Sequence, residues 1–152
     1  MNFTLRSPAF AEGATIPVKY TCDGENTPPP LRWEGAPEAQ SFVLIVDDPD
    51  APSGTFTHWV LYDVPGAERE LPEGLPSVGA LGTPGMNDFM QIDYGGPCPP
   101  PGSGPHRYFF TMYALDVVSL LTPRGRPRRE IEAAMQGHVL GQARMMGRYE
   151  RH

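Results

Sequence analysis

Residues 93–114 (DYGGPCPPPGSGPHRYFFTMYA) restrict the fold of this chain more than any other stretch. The first half is almost all Gly and Pro, which excludes a helix and an interior strand. The second half is a run of aromatic and β-branched residues that predicts a buried strand. Strand alternation directs His106 and Tyr108, at the junction of the two halves, to the same face. We therefore expect a stiff loop that holds polar groups over a pocket.

The composition is that of a globular, β-rich protein. The 152 residues include 19 Pro and 17 Gly without a repeat period, which indicates many tight turns and stiff loops. We expect one domain over residues 1–152. The net charge of −6 argues against nucleic acid or an anionic membrane as the main partner, although one local pocket can still hold an anion. Because no basic leader precedes a long apolar stretch, the expected location is the cytoplasm.

Apolar patterning predicts the remaining elements. Strands are expected over residues 31–33, 41–47, 57–64 and 138–151. Residues 14–20 are also β-prone, and Pro17 makes them an edge strand or a bent one. The one clear helix covers residues 127–136, with Pro127 in its first position and Gly137 as its stop signal. The arginines near its start are interpreted as a solvated face: Arg124, Arg126, Arg128 and Arg129.

A second informative stretch, DDPDAP, follows the strand predicted over residues 41–47. Its three carboxylates in four positions repel one another, so a purely structural chain has little reason to collect them there. Alternation places Asp48 on the apolar face of that strand, where it either caps a turn or acts as a functional group over the core. His58 opens the next strand and is predicted to share a face with Val60, Tyr62 and Val64. Such residues at strand ends can converge at one edge of a sandwich.

Several chemistries can be weighed from these residues. The absence of GxSxG, Walker, HExxH and GxGxxG motifs leaves serine-hydrolase, nucleotide-hydrolase, zincin and dinucleotide interpretations without support. A zinc site made of Asp48, His58 and His106 is chemically allowed. A hydrolytic site would need a nucleophile, for which Ser103 and Cys98 are only loose candidates.

A binding pocket is the remaining option. In this interpretation both histidines donate hydrogen bonds to a phosphate or carboxylate, and the N–H groups of Gly95 and Gly96 point to the same anion.

The two cysteines leave an alternative open. Cys22 and Cys98 lie in turn-like contexts without CxxC spacing, so they are either two free thiols or a disulfide between loops around one pocket.

Two blocks of the sequence resemble the signature blocks of the phosphatidylethanolamine-binding protein family. The first is DPDAPS at 48–53 with His58-Trp59, and the second is YGGPCPP at 94–100 with HRY at 106–108. The beginning and end of the chain resemble the bacterial and archaeal Raf kinase inhibitor-like branch. Cys98 stands where eukaryotic members often have Gly, and the C-terminal helix of eukaryotic members is missing.

The resemblance implies a mainly β fold, a Greek-key β-sandwich of two sheets with one or two short helices. It implies a pocket for phosphate, phosphorylethanolamine or acetate-like groups, and a homodimer. The ligand-binding residues it implies are Asp48, His58, Gly96, Cys98, Pro100, His106 and Tyr108. Asp50 is expected to brace the loop, and a cis peptide bond is expected before Pro52.

We therefore predict a binding protein rather than an enzyme, without cofactor or metal. Asp48 is expected to orient one imidazole and to raise its pKa, so that affinity for an anion falls as the pH rises. The alternative is a protein-interaction module that inhibits a protease or kinase through surface loops.

Overall fold

The computed structural model describes residues 2–79 and 81–152. Within them the chain forms eight β-strands and one α-helix. The strands are β1 (Thr4–Arg6), β2 (Leu31–Glu34), β3 (Ser41–Asp48), β4 (Phe56–Pro65), β5 (Glu70–Leu71), β6 (Thr83–Pro84), β7 (His106–Leu115) and β8 (Val139–Tyr149). The helix, α1, spans Arg128–Met135. In this part of the chain no helix has the length and apolar character needed to span a membrane.

The strands form two antiparallel sheets. The smaller sheet has the order β1-β2-β5, and the larger has the order β6-β4-β3-β7-β8. β3 and β4 are adjacent both in sequence and in the larger sheet. β7, which follows β5 and β6 in sequence, pairs with the other side of β3. Long returns of this kind are typical of Greek-key connections. The predicted mainly β sandwich of two sheets is confirmed.

The main core lies between the two sheets. The smaller sheet contributes buried apolar side chains from each strand: Leu5, Leu31, Trp33 and Leu71. They face Phe42, Leu44 and Val46 on β3 of the larger sheet. The indole of Trp33 packs edge-on against the ring of Phe42, with 5.4 Å between ring centroids.

A second, smaller core covers the opposite face of the larger sheet. There Val43 and Ile45 of β3 pack with Ile131 and Met135 of α1. β3 therefore buries side chains on both faces, as its uninterrupted apolar run predicted.

Residues 14–20 do not form the predicted edge strand. Thr15 makes a single bridge to Arg148, and Val18–Tyr20 is one turn of 3-10 helix. The carbonyl of Pro17 accepts the N–H of Tyr20 at 3.0 Å, which closes this turn. The local turn hydrogen bond replaces the sheet pairing that β-propensity suggested.

The helix begins one residue later than predicted, because Pro127 is its N-cap. Gly137 follows the helix with a positive φ of 81°, as expected for a stop signal. The interpretation of Arg128 as a solvated residue was wrong. Its guanidinium is partly buried and donates to Asp47 at 2.8 Å and to Thr57 at 3.3 Å, so it ties α1 to β3 and β4.

Substitution of Leu44 by Ala should lower the free energy of unfolding by about 2–5 kcal/mol, because it leaves a cavity between the sheets. Leu44 is fully buried, whereas Leu121 is 91% exposed. Leu121→Ala is therefore the matched control, with an expected change within about 0.5 kcal/mol. Urea unfolding measures both variants, and an equal loss in both would contradict this assignment of the core.

Candidate functional site

A cavity of about 200 Å³ opens at the edge of the larger sheet, where β3 ends and β7 begins. Its polar wall is formed by Asp48, His58, His106 and Tyr108. Its other lining residues are apolar side chains and one half-cystine: Ala51, Pro52, Phe56, Phe89, Cys98, Pro99 and Pro100. An apolar cavity with a few convergent polar groups is the usual form of a small-ligand site.

Most of the residues predicted to bind a ligand meet at this cavity. Those that line it are Asp48, His58, Cys98, Pro100, His106 and Tyr108. Pro52, predicted as a structural residue, lines it as well. Gly96 is not one of the lining residues. The binding roles of these residues remain a prediction.

The expected backbone donors of Gly95 and Gly96 are already used within the protein. The Gly95 N–H donates to the carbonyl of His58 at 2.9 Å, and the Gly96 N–H donates to the side chain of Asn26 at 2.8 Å. A Cβ on Gly95 would lie 2.4 Å from the ring of Phe89, and one on Gly96 would lie 2.2 Å from the Tyr20 carbonyl oxygen. Both positions need glycine for close packing, so the prediction that they donate to an anion was wrong.

Asp48 and His106 form a buried pair at the polar end of the cavity. His106 Nδ1–H donates to Asp48 Oδ2 at 2.7 Å, and the backbone N–H of Asp50 donates to Asp48 Oδ1 at 2.7 Å. Each of the paired side chains is about 95% buried. Because Nδ1 carries the proton that faces the carboxylate, the remaining site for proton exchange on His106 is Nε2. That nitrogen lies 3.2 Å from the hydroxyl oxygen of Ser103.

A β-bulge directs His58 into the cavity. Val46 pairs with Trp59 and Asp47 pairs with Thr57, so His58 is an extra residue on β4 without a partner on β3. Such an insertion turns side chains away from simple alternation. The prediction that His58 shares a face with Val60 and Tyr62 was therefore wrong, whereas Val64, beyond a second bulge, belongs to the main core on the cavity side of the sheet. Val60 and Tyr62 belong to the core under α1, whereas His58 lines the cavity.

The surroundings of His58 favour its neutral form. Its ring lies among three aromatic rings, those of Phe56, Phe89 and Tyr108, at centroid distances of 5.0–5.3 Å. Nδ1–H donates to the Gly95 carbonyl at 2.7 Å. Burial lowers the pKa of His58, and the carbonyl oxygen only partly opposes this effect. In the neutral tautomer Nε2 is an acceptor, so His58 does not act as the second donor that we expected.

The hydroxyl of Tyr108 is a buried donor at the cavity. Tyr108 is 1% exposed, and its oxygen makes no hydrogen bond of normal geometry to the described residues, although the Asp48 carboxylate is close enough to affect it. Burial and the nearby charge of Asp48 raise the pKa of Tyr108, so the hydroxyl keeps its proton. Since buried polar groups are normally paired, this hydroxyl is well suited to donate to a ligand.

Asp50 fastens the loop after β3 to β7. Its carboxylate accepts from the backbone N–H of Arg107 at 2.9 Å and from the guanidinium at 2.9 and 2.8 Å. These Arg107 hydrogen bonds lower the pKa of Asp50 to about 2. The position of Asp50 agrees with the expected brace. The expected cis bond before Pro52 was wrong, because every peptide bond in residues 2–79 and 81–152 is trans; the Asp50–Arg107 contacts hold the loop without it.

The cysteine alternative is resolved in favour of the disulfide. Cys22 and Cys98 are bonded, with a sequence separation of 76 residues. The N–H of Cys22 also donates to the carbonyl of Pro97 at 3.1 Å. The bond therefore joins the loop after the 3-10 turn to one wall of the cavity.

The described residues do not provide a set of zinc ligands at Asp48, His58 and His106. Nδ1 of His106 and Nδ1 of His58 are both engaged by protein acceptors, Asp48 and the Gly95 carbonyl. Across the described residues, no three His, Cys, Asp or Glu side chains are grouped so that they could hold a metal ion. The polar wall is thus organised by hydrogen bonds.

Sequence reasoning missed the two phenylalanines of the apolar wall, Phe56 and Phe89. Phe56 stands two residues before His58, so alternation from the histidine could have found it. Phe89 lies in a segment without periodicity, and only the fold brings its ring to 4.7 Å from that of Phe56. No local sequence signal could have identified Phe89.

The fold and the cavity define a class of protein: an antiparallel two-sheet sandwich with a preformed cavity at one sheet edge. A model of the phosphatidylethanolamine-binding protein family matches residues 6–150. The chain therefore belongs to the phosphatidylethanolamine-binding protein family, a family of binding proteins by name.

Similar proteins come from bacteria and archaea. A protein named UPF0098 from Aquifex aeolicus is 52% identical over 148 residues, covering 95% of this chain and 86% of that protein. The crystal structure of a phosphatidylethanolamine-binding protein homologue, CT736 of Chlamydia trachomatis, has a TM-score of 0.90 at 40% identity and covers 99% and 98% of the two chains. The crystal structure of YbcL of Escherichia coli has a TM-score of 0.91 at 27% identity, with full coverage of both chains.

Two further similarities concern partners and location. A carboxypeptidase Y inhibitor, solved in complex with its proteinase, shares the fold with a TM-score of 0.59 at 20% identity and covers 99% and 83% of the two chains. A Mycobacterium tuberculosis protein whose name describes it as a lipoprotein, LppC, is 39% identical over 147 residues, covering 97% of this chain and 72% of that protein. The cytoplasmic location and the homodimer stay predictions.

The disulfide assignment predicts that the native protein shows no reactive thiol and gains two after reduction. Replacing both cysteines by Ser should lower the free energy of unfolding by about 2–4 kcal/mol, since the bond closes a long loop in the unfolded chain. Thiol titration and urea unfolding measure these effects. Two reactive thiols in the native protein before reduction would show instead that the cysteines are free.

Proposed function

We propose that the cavity binds a small anion, such as phosphate, phosphorylethanolamine or a carboxylate, and that the protein has a regulatory or inhibitory role through this binding. The observation that carries the proposal is the buried Asp48–His106 pair, which opens onto an otherwise apolar cavity. A buried carboxylate is stabilised by a cationic partner, and an imidazolium between Asp48 and a bound anion attracts both.

Two groups of the polar wall are suited to donate to the ligand. With Nδ1–H held by Asp48, a protonated His106 presents Nε2–H, and the ligand oxygen takes the place of the Ser103 hydroxyl. The hydroxyl of Tyr108 supplies a second donor, because it is buried and has no partner among the described residues. Hydrogen bonds to ionised groups contribute about 1.5–3 kcal/mol each.

His58 adds a preference for a ligand that carries a proton. Burial keeps its imidazole neutral, and Nδ1–H is engaged by the Gly95 carbonyl. Nε2 is then an acceptor, which a P–OH group or an ammonium group can satisfy and a bare oxyanion cannot. This favours phosphate species that retain a proton, and phosphorylethanolamine, over sulfate.

The alternative proposal is a protein-interaction module that inhibits a protease or kinase. It is supported by the proteinase complex of a protein with the same fold. The exposed side chain of Met90, 74% accessible and next to the cavity residue Phe89, offers apolar contact surface for such a partner. Capture of a protease or kinase that persists in both Asp48→Ala and His106→Ala would favour this alternative, because the partner would then not need the polar wall.

Phosphate affinity should fall as the pH rises from about 5 to about 8, because His106 must be protonated to donate through Nε2. His106→Ala should weaken binding roughly 10- to 100-fold and remove this pH dependence. Calorimetric titration at several pH values measures both effects. His138→Ala is the matched control, since His138 pairs with Asp116 at 2.8 Å in an exposed position away from the cavity.

A second variant separates binding from folding. Tyr108→Phe removes only a hydroxyl that has no described partner, so it should leave the unfolding midpoint unchanged while weakening phosphate binding about tenfold. Phosphate affinity that is independent of pH, and equal in wild type, His106→Ala and Tyr108→Phe, would refute the pocket proposal.

Phosphate should bind at least about tenfold more tightly than sulfate at the same pH, because sulfate has no proton to donate to His58. Replacing His58 by Phe should reduce this preference, since the acceptor is lost while the aromatic packing is kept. Competition between the two anions in the same titration gives the ratio. Equal affinities for phosphate and sulfate in the wild type would show that His58 does not select for a protonated ligand.

A further inference from the structure

The hydroxyl of Ser103 extends the Asp48–His106 pair into a chain of three groups. Ser103 Oγ lies 3.2 Å from His106 Nε2, and His106 Nδ1 lies 2.7 Å from Asp48 Oδ2. Carboxylate, imidazole and hydroxyl stand in this order in enzymes that use an activated serine, and the order is recognised by geometry rather than by sequence position. Among the described serines, Ser103 alone has a hydrogen bond to a histidine.

We propose that Ser103 is a nucleophile toward small activated carboxylic esters, with His106 as its general base and Asp48 as a positioning residue. The tautomer supports these roles. Because Nδ1–H donates to Asp48, neutral His106 has its lone pair on Nε2, which faces the serine hydroxyl. A nucleophile within hydrogen-bond reach of a base that a third group orients is the arrangement this chemistry requires.

The reaction transfers one acyl group. Ser103 Oγ attacks the ester carbonyl carbon while the hydroxyl proton passes to His106 Nε2. The ester C–O bond then breaks, and the alcohol leaves with that proton, so that the acyl group is bound to Ser103 as an ester. Water attacks this ester with the same proton transfers in reverse order, which releases the carboxylic acid and restores the serine. The reaction needs no oxidant, reductant or metal.

The loop around Ser103 makes the hydroxyl accessible. Ser103 is exposed and lies between Gly102 and Gly104, which have positive φ angles of 79° and 82°. The N–H of Ser103 donates to the Pro100 carbonyl at 3.2 Å, which holds the turn. The hydroxyl also lies 2.7 Å from that carbonyl, so its proton has two acceptors. Since only the orientation toward Nε2 is reactive, we expect slow acylation.

Space and a backbone donor are available for the ester. Ser103 does not itself line the cavity, but its hydrogen-bond partner His106 does, together with the apolar wall formed by Phe56 and Phe89. The cavity volume of about 200 Å³ suits a short acyl group. The N–H of Gly104 donates to no other described residue. In hydrolases the N–H that follows the nucleophile commonly stabilises the oxyanion.

This reactivity and the proposed anion binding use opposite protonation states of His106. Anion binding requires Nε2–H, whereas general base action requires a free Nε2 lone pair. The rate of serine modification should therefore rise from about pH 5 to about pH 8, while phosphate affinity falls over the same range. The two proposals are distinguishable within one pH series.

The experiment treats the full chain with a fluorophosphonate probe, which bonds to a serine oxygen and releases fluoride, and with p-nitrophenyl acetate. Peptide mapping by mass spectrometry measures modification at each serine. Ser53 is the internal control, because it is the other exposed serine of the described chain and has no hydrogen bond to a histidine. We expect Ser103 to react at least about tenfold faster than Ser53 at pH 8, in line with general base catalysis.

Substitutions test the proposed roles of Ser103, His106 and Asp48. Ser103→Ala should remove the modification and the acyl adduct, while Ser53→Ala should change neither. His106→Asn should reduce the Ser103 rate to that of Ser53. Asp48→Asn should lower the Ser103 rate, and Asp48→Glu, which restores a carboxylate, should recover part of it. A purely structural role of Asp48 would instead favour Asn, which has the same shape as Asp, over the longer Glu.

Equal modification of Ser103 and Ser53, or a Ser103 rate that His106→Asn leaves unchanged, would overturn the inference. Phosphate titration of the same samples separates its failure from failure of the proposed function. If Ser103 is unreactive while phosphate binding still depends on His106, only the nucleophile proposal fails. If phosphate affinity is also independent of His106 and of pH, both proposals fail.

Discussion

The hydrogen bond between Asp48 and His106 determines the shape of this site, because it fixes the end of β3 against the start of β7. Burying a carboxylate is unfavourable unless its oxygens are paired. Here one oxygen accepts from His106 and the other from the backbone of Asp50, which turns the chain sharply after β3. That turn brings the Asp50 carboxylate to Arg107, the residue after His106. Asp48 and Asp50 thus hold the first two residues of β7, His106 and Arg107, and the cavity lies beside these contacts.

Regular strand pairing explains which parts of the site were predictable from sequence. β3 and β7 pair without a register shift from Ser41 to Asp47, so alternation correctly placed Asp48 toward the cavity, and the same holds for His106 and Tyr108. β4 contains bulges, and one of them reverses the side chain of His58. Residues 55–64, on both sides of His58, contain no Gly or Pro that would have indicated the insertion. Its orientation depends on pairing with β3, which is a tertiary property.

The other differences between prediction and structure also arise from contacts between segments that are distant in sequence. Gly95 and Gly96 are a plausible anion-binding pair when only local backbone geometry is considered, but the ring of Phe89 and the carbonyl of Tyr20 occupy the space next to them. The disulfide likewise depends on the approach of two loops that are 76 residues apart. Local patterns predicted the mainly β fold, the helix and the identity of the polar wall. Contacts between distant segments determined the apolar wall, the state of the cysteines and the tautomer of His58.

The fixed tautomer of His106 also limits how the two proposals can coexist. Asp48 holds Nδ1–H, so every exchange with ligand or with Ser103 passes through the single atom Nε2. An anion on Nε2 stabilises the imidazolium and displaces the serine hydroxyl, which removes both the base and its contact with the nucleophile. Binding and nucleophilic reactivity must therefore exclude each other on one molecule. Phosphate should protect Ser103 from modification at concentrations that match its own dissociation constant, because both events compete for one nitrogen.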